Sequence, residues 1–426
     1  GMKEYKQVIK PFEAEYENGK LKIRNLRQFR DLSDLDLYWR LERNGKLLAE
    51  GRKTELTIAP GYSRTFALPY FNEKLTDGWC TLTVSLRQNT STPWSEVGYE
   101  VGFEQFELSA KKTAPAIADR ISPAARIRLA ETDRDFVITT NDTVYTVDRA
   151  HGLISSIVDR GTELLTSPVD LNIWRAPTDN DRRIKLKWME QKLHEASTKC
   201  YACRVSEKTD KYVKVTAALS HGGKIFEPVL HAAATYTFFA EGGVTLDFDV
   251  TVRDLRTFDH LPRFGVQFTC PAGFERVRYF GRGPGASYAD LRHSSRLGEF
   301  ETTANDNFEH YVRPQENMAH ADTKWMFVAN MEGHGLLAAE TDADFSFNCS
   351  HFTPKMLETT RHDYELKPLA DTVVNLDYRQ DGIGSNSCGP ELLPEYRFSE
   401  KAFRFGIRLL PALVNDVCPF EEAKQK

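Results

Sequence analysis

The chain has 426 residues, of which 41% are hydrophobic and 27% charged, an ordinary globular composition with room for two or three domains that each bury their own core. Its 56 basic and 61 acidic residues leave a formal net charge of −5 without any Lys/Arg run reaching five, which excludes the strongly basic field of a nucleic-acid binder. No apolar run approaches the ~18 residues of a membrane-spanning helix, so neither nucleic acid nor membrane is an expected partner.

The amino terminus, GMKEY, is charged and lacks the apolar core of a targeting signal. Gly1 before Met2 reads as a scar of tag removal. Leu37–Arg43 alternates in polarity, is followed by Asn44-Gly45, and leads into Lys46–Ala49; Asn-Gly between two such runs is the strongest short-range hairpin signal. Cys80–Arg87 alternates and is rich in β-branched residues, which predicts another strand. The segment WSEVGYEVGFEQFEL, Trp94 to Leu108, predicts the strands that close this block. Residues 1–110 therefore read as six to eight short strands, the size of an immunoglobulin-like β-sandwich, although the cysteine and tryptophan spacing of a true immunoglobulin domain is missing. Residues 111–124 are rich in Ala, Lys and Pro and read as a linker.

Strand patterning resumes with Phe136–Thr140, a turn at Asn141-Asp142, and Thr143–Val147. Val244–Val252 has a clean period of two, and Phe405–Pro411 ends the pattern. Helical signal is weak; RIKLKWMEQKLHEAST, residues 183–198, is the best candidate. Residues 125–426 predict one very large antiparallel sandwich or two smaller ones. The fold expected is all-β: an Ig-like β-sandwich followed by a large antiparallel β-supersandwich.

The seven cysteines are odd in number and scattered, which argues against a disulfide framework. Cys200-Tyr-Ala-Cys203 forms a single C-x-x-C pair with no second pair or histidines near it, so a zinc site is not expected. Residues three apart in an extended strand point to opposite faces, which makes both ordinary buried or edge cysteines. His293, His310, His320, His351 and His362 are dispersed without an H-x-x-x-H spacing, and no metal site is assigned.

Several further segments carry a resemblance. HGLISS at residues 151–156 looks like a first hairpin. WRAPTDND, Trp174 to Asp181, matches R-A-P-x-D-N-D; YFGRGP, Tyr279 to Pro284, with Tyr288 and Asp290 behind it, matches G-x-G-P-x-E-x-Y-x-D, except that Gly285-Ala286 replaces the usual Gln-Glu. YVRPQEN, Tyr311 to Asn317, resembles P-x-E-N; FSFN at 345–348 and LET at 357–359 follow; and GIGSNSCGP, Gly382 to Pro390, resembles a glycine-rich loop. In this order the motifs resemble the last domain of glycoside hydrolase family 2 β-galactosidases. Lys6–Pro11 is similar to the segment that leaves the family's catalytic barrel, and Trp94–Leu108 to the end of its preceding Ig-like domain.

The resemblance implies hydrolysis of terminal β-D-galactosides with retention, which uses two carboxyl groups ~5–5.5 Å apart. In the family both glutamates lie on a (β/α)8 barrel, and this sequence has no barrel-length run of alternating strand and helix. Glu316-Asn317 presents the family's Asn-Glu acid/base pair only in reverse, so no catalytic residue is assigned and the chain alone is expected to be inactive. No cofactor is expected in this chain; the family's Mg and Na belong to the barrel region. The expected partners are the catalytic barrel of the same or a companion chain and a galactoside substrate, with a homo-oligomer possible in the parent.

In well-known members a loop of the last domain reaches the barrel mouth and offers a tryptophan as a sugar-stacking platform. Here that loop is one residue shorter, with Cys388 at the tryptophan's place, so stacking is lost and Asn386 and Ser387 become the candidate hydrogen-bonding groups. Arg175, Asp179, Asn180 and Asp181 read mainly as a hydrogen-bonded turn that shapes the domain, because Asx residues favour turns and Arg can fork onto a carboxylate. Four readings stay open: a portion of a longer β-galactosidase, a natural small subunit, a stand-alone carbohydrate-binding module, and an aldose-epimerase-like enzyme. Compartment stays open too, cytoplasmic or periplasmic.

Overall fold

The computed structural model describes residues 1–68, 78–108, 122, 124–254 and 257–423. Strands take up 49% of the chain and helices 9%, the all-β class that the period-two patterning demands. Contacts divide the chain into two compact units: Gly1–Thr113 with Arg292–Glu299, and Ala114–Leu291 with Phe300–Lys426. The linker expected at 111–124 falls almost entirely outside the described residues.

The first unit has a three-stranded sheet ordered Phe12–Glu17, Lys20–Asn25, Ser63–Ala67, and a four-stranded sheet ordered Lys46–Lys53, Leu35–Arg43, Cys80–Gln88, Glu100–Glu107, with every pair antiparallel. Lys20–Asn25 shows why: its odd-numbered side chains Leu21, Ile23 and Asn25 are buried and the even ones are exposed, so one register alone puts the apolar set inside. Phe12, Ile23, Leu37, Trp39, Leu82 and Val84 share one core. Asn44 and Gly45 both have positive φ, 51° and 72°, as a type I′ hairpin turn requires. A second such turn, Asn18-Gly19 with φ of 48° and 76°, joins the first two strands and went unread in the sequence. Trp94–Leu108 contributes one strand only, Glu100–Glu107, and Trp94 itself is exposed.

The second unit is a sandwich of two large antiparallel sheets. One is ten-stranded; its main path is His320–Thr323, Phe345–Ser350, Thr372–Gln380, Arg263–Cys270, Ser167–Asn172, Leu153–Asp159, Thr143–Asp148, Asp135–Thr139 and Arg128–Glu131. The other runs through Ala196–Lys208, Tyr212–Gly223, Leu230–Phe239, Val244–Val252, Ala402–Leu413, His334–Glu340, Trp325–Ala329 and Arg276–Gly283. Their inner faces form one apolar core. At its centre Phe264 of the first sheet meets Phe403 of the second with ring centroids 5.0 Å apart, edge to face, a favourable aromatic geometry.

Two sequence expectations are corrected. The helix expected over 183–198 is a short one, Ile184–Glu190, and the chain is already in a strand from Ala196; Trp188 is buried while Leu186 is exposed, so the apolar stripe supports two turns only. Cys200 and Cys203 do not face opposite ways. Ala196–Lys208 bulges between Cys200 and Ala202, and the extra residue brings both thiols against the main core. Burial pushes the Cys203 thiol up to about 11, which leaves it a poor nucleophile.

His221 supplies a stability test. Its Nδ1 lies 2.9 Å from Thr198 Oγ1, whose hydroxyl donates to Asp170. Burial holds the imidazole down at about 4 against the pull of Asp170. The unfolded chain takes this proton up near 6.5 and the folded chain only near 4, so the contribution is whole above about 6.5 and shrinks as pH falls toward 4. Between pH 7 and 5 it amounts to roughly 2 kcal/mol. Urea midpoints at both pH values are expected to show a smaller acid loss in His221→Asn than in the parent chain; equal losses would refute the assignment.

Candidate functional site

Ser167–Asn172, Arg263–Cys270 and Thr372–Gln380 are neighbours in one sheet and pair antiparallel. The residues that follow the first and third strands therefore meet those that precede the second. This places Arg175, His260 and Asp381 at one end of the sheet, although no sequence spacing links them.

Arg175 is fully buried. Its Nε and Nη2 donate to the two oxygens of Asp181 at 3.2 and 2.9 Å, Nη1 donates to the Asp381 carbonyl at 2.7 Å, and Nη2 also donates to the Gly382 carbonyl at 3.0 Å. Asp181 accepts in addition from the Thr178 backbone N–H at 2.9 Å and its hydroxyl at 3.2 Å. Attraction to Asp181 and Asp381 outweighs the desolvation that opposes it and keeps the guanidinium protonated. Arg175 and Asp181 thus form the interior fork of the turn, while Asp179 offers its backbone N–H to Gln315 Oε1 at 3.0 Å. Glu316, next to it, donates its own backbone N–H to the Ala176 carbonyl at 3.0 Å, so the P-x-E-N segment is stitched to the WRAPTDND turn.

Asn180 faces the other way. Its Nδ2 donates to the Gly384 carbonyl at 2.8 Å and its Oδ1 accepts from the Ser387 backbone N–H at 3.0 Å. Asp290 holds the same loop from a second side, accepting from the N–H groups of Ile383 and Gly384 at 2.7 Å each. A Cβ at Gly382 would lie 2.7 Å from the Asp290 carboxyl carbon, so only glycine admits this approach. Beyond the clamps the loop turns on itself, with the N–H of Gly389 on the Ser385 carbonyl at 2.7 Å. Asn386 and Ser387 are half-buried and Cys388 is exposed.

The loop rims a cleft of about 250 Å3 that Asn180, Lys187, His260, Ile383, Asn386 and Arg397 help to line. This is smaller than the about 300–1,000 Å3 pockets that engulf a drug-sized ligand. At its floor His260 Nδ1 meets Asp381 Oδ2 in a short contact, and Asp381 Oδ1 accepts from the Phe398 N–H at 2.7 Å. Burial pushes the Asp381 carboxyl up, against His260 and Arg175 which pull it down. Deeper in, Arg263 forks onto Asp377 at 3.0 and 2.5 Å and reaches Glu316 at 3.4 Å. Burial pushes Glu316 up, and its Oε1 has no hydrogen-bond partner among the described residues. Glu316 and Asn317 lie inside the scaffold, where Asn317 bonds the backbone of Glu309 and Gln315.

The structure therefore joins two groups that the sequence treats separately, the WRAPTDND turn and the 384–390 loop. Asp290 was visible as a motif residue without a role. His260, Asp381 and Arg263 carry no local signal, because their partners are more than a hundred residues away. Among the described residues no three or more His, Cys, Asp or Glu side chains converge as metal ligands.

The profile described as "Beta galactosidase small chain" matches residues 139–409, and that of "Beta-galactosidase, domain 4" matches residues 21–109. The chain belongs to the β-galactosidase small-chain family. It is 31% identical over 411 residues to a β-galactosidase of Actinobacillus pleuropneumoniae, covering 96% of this chain and 39% of that protein. With a β-galactosidase of Staphylococcus xylosus it shares 32% over 289 residues, 68% of this chain and 29% of that protein. The chain thus spans well under half the length of these relatives. A galactose 1-epimerase from Lactobacillus acidophilus NCFM overlaps 67% of this chain and 98% of its own at 8% identity, with a TM-score of 0.35, too low to carry a statement about function.

Arg175→Met is expected to cost about 3–5 kcal/mol in urea unfolding, because Asp181 is left as a buried carboxylate without its cation, and Arg175→Lys, which cannot fork, to recover little of it. Asn180→Ala is expected to leave global stability within about 1 kcal/mol while the Ser387 amide exchanges faster with deuterium. Unchanged exchange at Ser387 would mean the clamp does not hold the loop.

Proposed function

We propose that this chain is the non-barrel, carboxy-terminal portion of a β-galactosidase that hydrolyses terminal β-D-galactosides with retention, and that it borders the sugar site without supplying the reacting groups. The nucleophile and acid/base are contributed by a (β/α)8 barrel of the same or a companion polypeptide, whose region also holds the family's Mg and Na. The carrying observation is the double clamp on the 383–387 loop: Asn180 and Asp290, far apart in sequence, fix its backbone at the rim of a polar recess. A loop held this way carries preorganised groups, which is what positioning a sugar hydroxyl requires.

Asn386 offers an amide and Ser387 a hydroxyl at that rim, both suited to sugar hydroxyls. Cys388 sits exposed where the family resemblance expects tryptophan, so recognition here works through hydrogen bonds, each worth about 0.5–1.5 kcal/mol. The Ig-like unit acts as a spacer and support for the barrel, and the assembled enzyme is an oligomer of such units. Arg175 and Asp181 serve as positioning residues through the loop.

The purified chain is expected to show no hydrolysis of an aryl β-galactoside, and activity to appear when it is combined with the barrel-bearing portion. In that complex Asn386→Ala or Ser387→Ala is expected to lower kcat/KM about three- to tenfold, and Cys388→Trp to lower KM. Turnover by the chain alone, or rapid interconversion of galactose anomers, would overturn the assignment.

A further inference from the structure

The cleft that the 384–390 loop rims has a charge balance that the clamp on the loop does not use. Four carboxylates line it, and each already faces a base. Asp181 has Arg175, Asp381 has His260, and Asp259 and Glu391 share Arg397 at 3.7 and 3.5 Å. Two charged lining groups remain, and both are cations. Arg183 and Lys187 are exposed and make neither a hydrogen bond nor an ion pair among the described residues. They stand four residues apart at the start of the helix Ile184–Glu190, so they share one face of it.

An independent feature points into the same cleft. His260, on its floor, is only 7% exposed. Its Nδ1 is taken by Asp381. Its Nε2 makes no hydrogen bond among the described residues, since Asp259 Oδ1 lies 3.8 Å off, beyond hydrogen-bond reach. Asp381 thus orients the ring and leaves one nitrogen for a ligand. Trp188, next to Lys187, is fully buried; its Nε1 donates to the His260 carbonyl at 3.2 Å, and its ring meets the imidazole edge to face at 6.1 Å. The helix that carries the two free cations is therefore fixed to the histidine.

We propose that Arg183, Lys187 and His260 form a binding site for an oxyanion, a carboxylate or phosphate group, and that the substrate class is therefore an acidic β-galactoside; this rests on the proposed reading of the 384–390 loop as the border of the sugar site. The terminal galactosyl unit is neutral, so the anionic group belongs to the aglycone. Arg183 and Lys187 supply two charges that no carboxylate of the cleft consumes. The imidazolium donates from Nε2 while Asp381 accepts from Nδ1. Charge-assisted hydrogen bonds of this kind are roughly twice as strong as neutral ones, so an acidic aglycone gains what a neutral one leaves unused.

The test is calorimetric titration of the full chain with lactobionate, a β-galactoside whose aglycone is a carboxylate, against lactose, which has the same galactosyl unit without the charge. Gluconate and inorganic phosphate serve as anions without that unit. Lactobionate is expected to bind at least about tenfold more tightly than any of the other three, and to lose that preference in about 0.5 M NaCl. Arg183→Met and Lys187→Met are each expected to lower lactobionate affinity about three- to tenfold. Both side chains are exposed, so lactose affinity and the unfolding midpoint are expected to stay as they were. Equal binding of lactobionate and lactose would overturn the anion site and leave the sugar-site reading standing. Gluconate or phosphate bound as tightly as lactobionate, with lactose unbound, would overturn the acidic galactoside together with that reading. A preference that survives both substitutions, or a chain that binds none of the four, would overturn the proposal as well.

Discussion

The constraint on which the site depends is one buried cation. Arg175 has no contact with water, so each of its donors must find an acceptor inside the protein. It finds the Asp181 carboxylate in its own turn and the carbonyls of Asp381 and Gly382 at the end of a strand two places across the sheet. A planar fork accepts only a narrow set of directions. The turn that follows Ser167–Asn172 and the loop that follows Thr372–Gln380 are thereby held at one relative position. Asn180 and Asp290 then act on a loop whose root is already set.

This order separates load from chemistry. The costly interactions, Arg175 with Asp181 and Arg263 with Asp377, are inside and closed on themselves. Buried ion pairs of this kind specify geometry more than they add stability. Asn386, Ser387 and Cys388, the side chains proposed to meet a ligand, sit on the loop's outer turn. They can change without loss of the scaffold, and a cysteine in place of an aromatic is a change of that sort. On the proposed reading the consequence is chemical: a flat apolar platform gives way to directional hydrogen bonds.

The same distinction applies to carboxylates elsewhere on the sandwich. Asp249, for one, is matched by Arg404 on the adjacent strand. Glu316 is raised by its burial, against the pull of Arg263 and Arg175. Burial and the like charges of Asp342 and Asp249 raise the Asp247 carboxyl.

The sequence by itself determined the class of fold. Alternation in Lys20–Asn25 and Val244–Val252 permits one register, because a slip of one residue would turn every apolar side chain outward, and Asn44-Gly45 encodes its own turn. The WRAPTDND motif was legible for the same local reason, since Arg175, Thr178 and Asp181 bond one another within a few positions. Where a single inserted residue decides the outcome, as in the bulge at Cys200–Ala202, periodicity misled and the facing of both cysteines had to come from pairing with the neighbouring strand. What only the tertiary structure decided is which distant groups meet: His260 with Asp381, Arg263 with Asp377, Asp290 with Ile383 and Gly384. Those meetings depend on the order of strands in the sheets, and strand order is set by long-range packing that leaves no period in the chain.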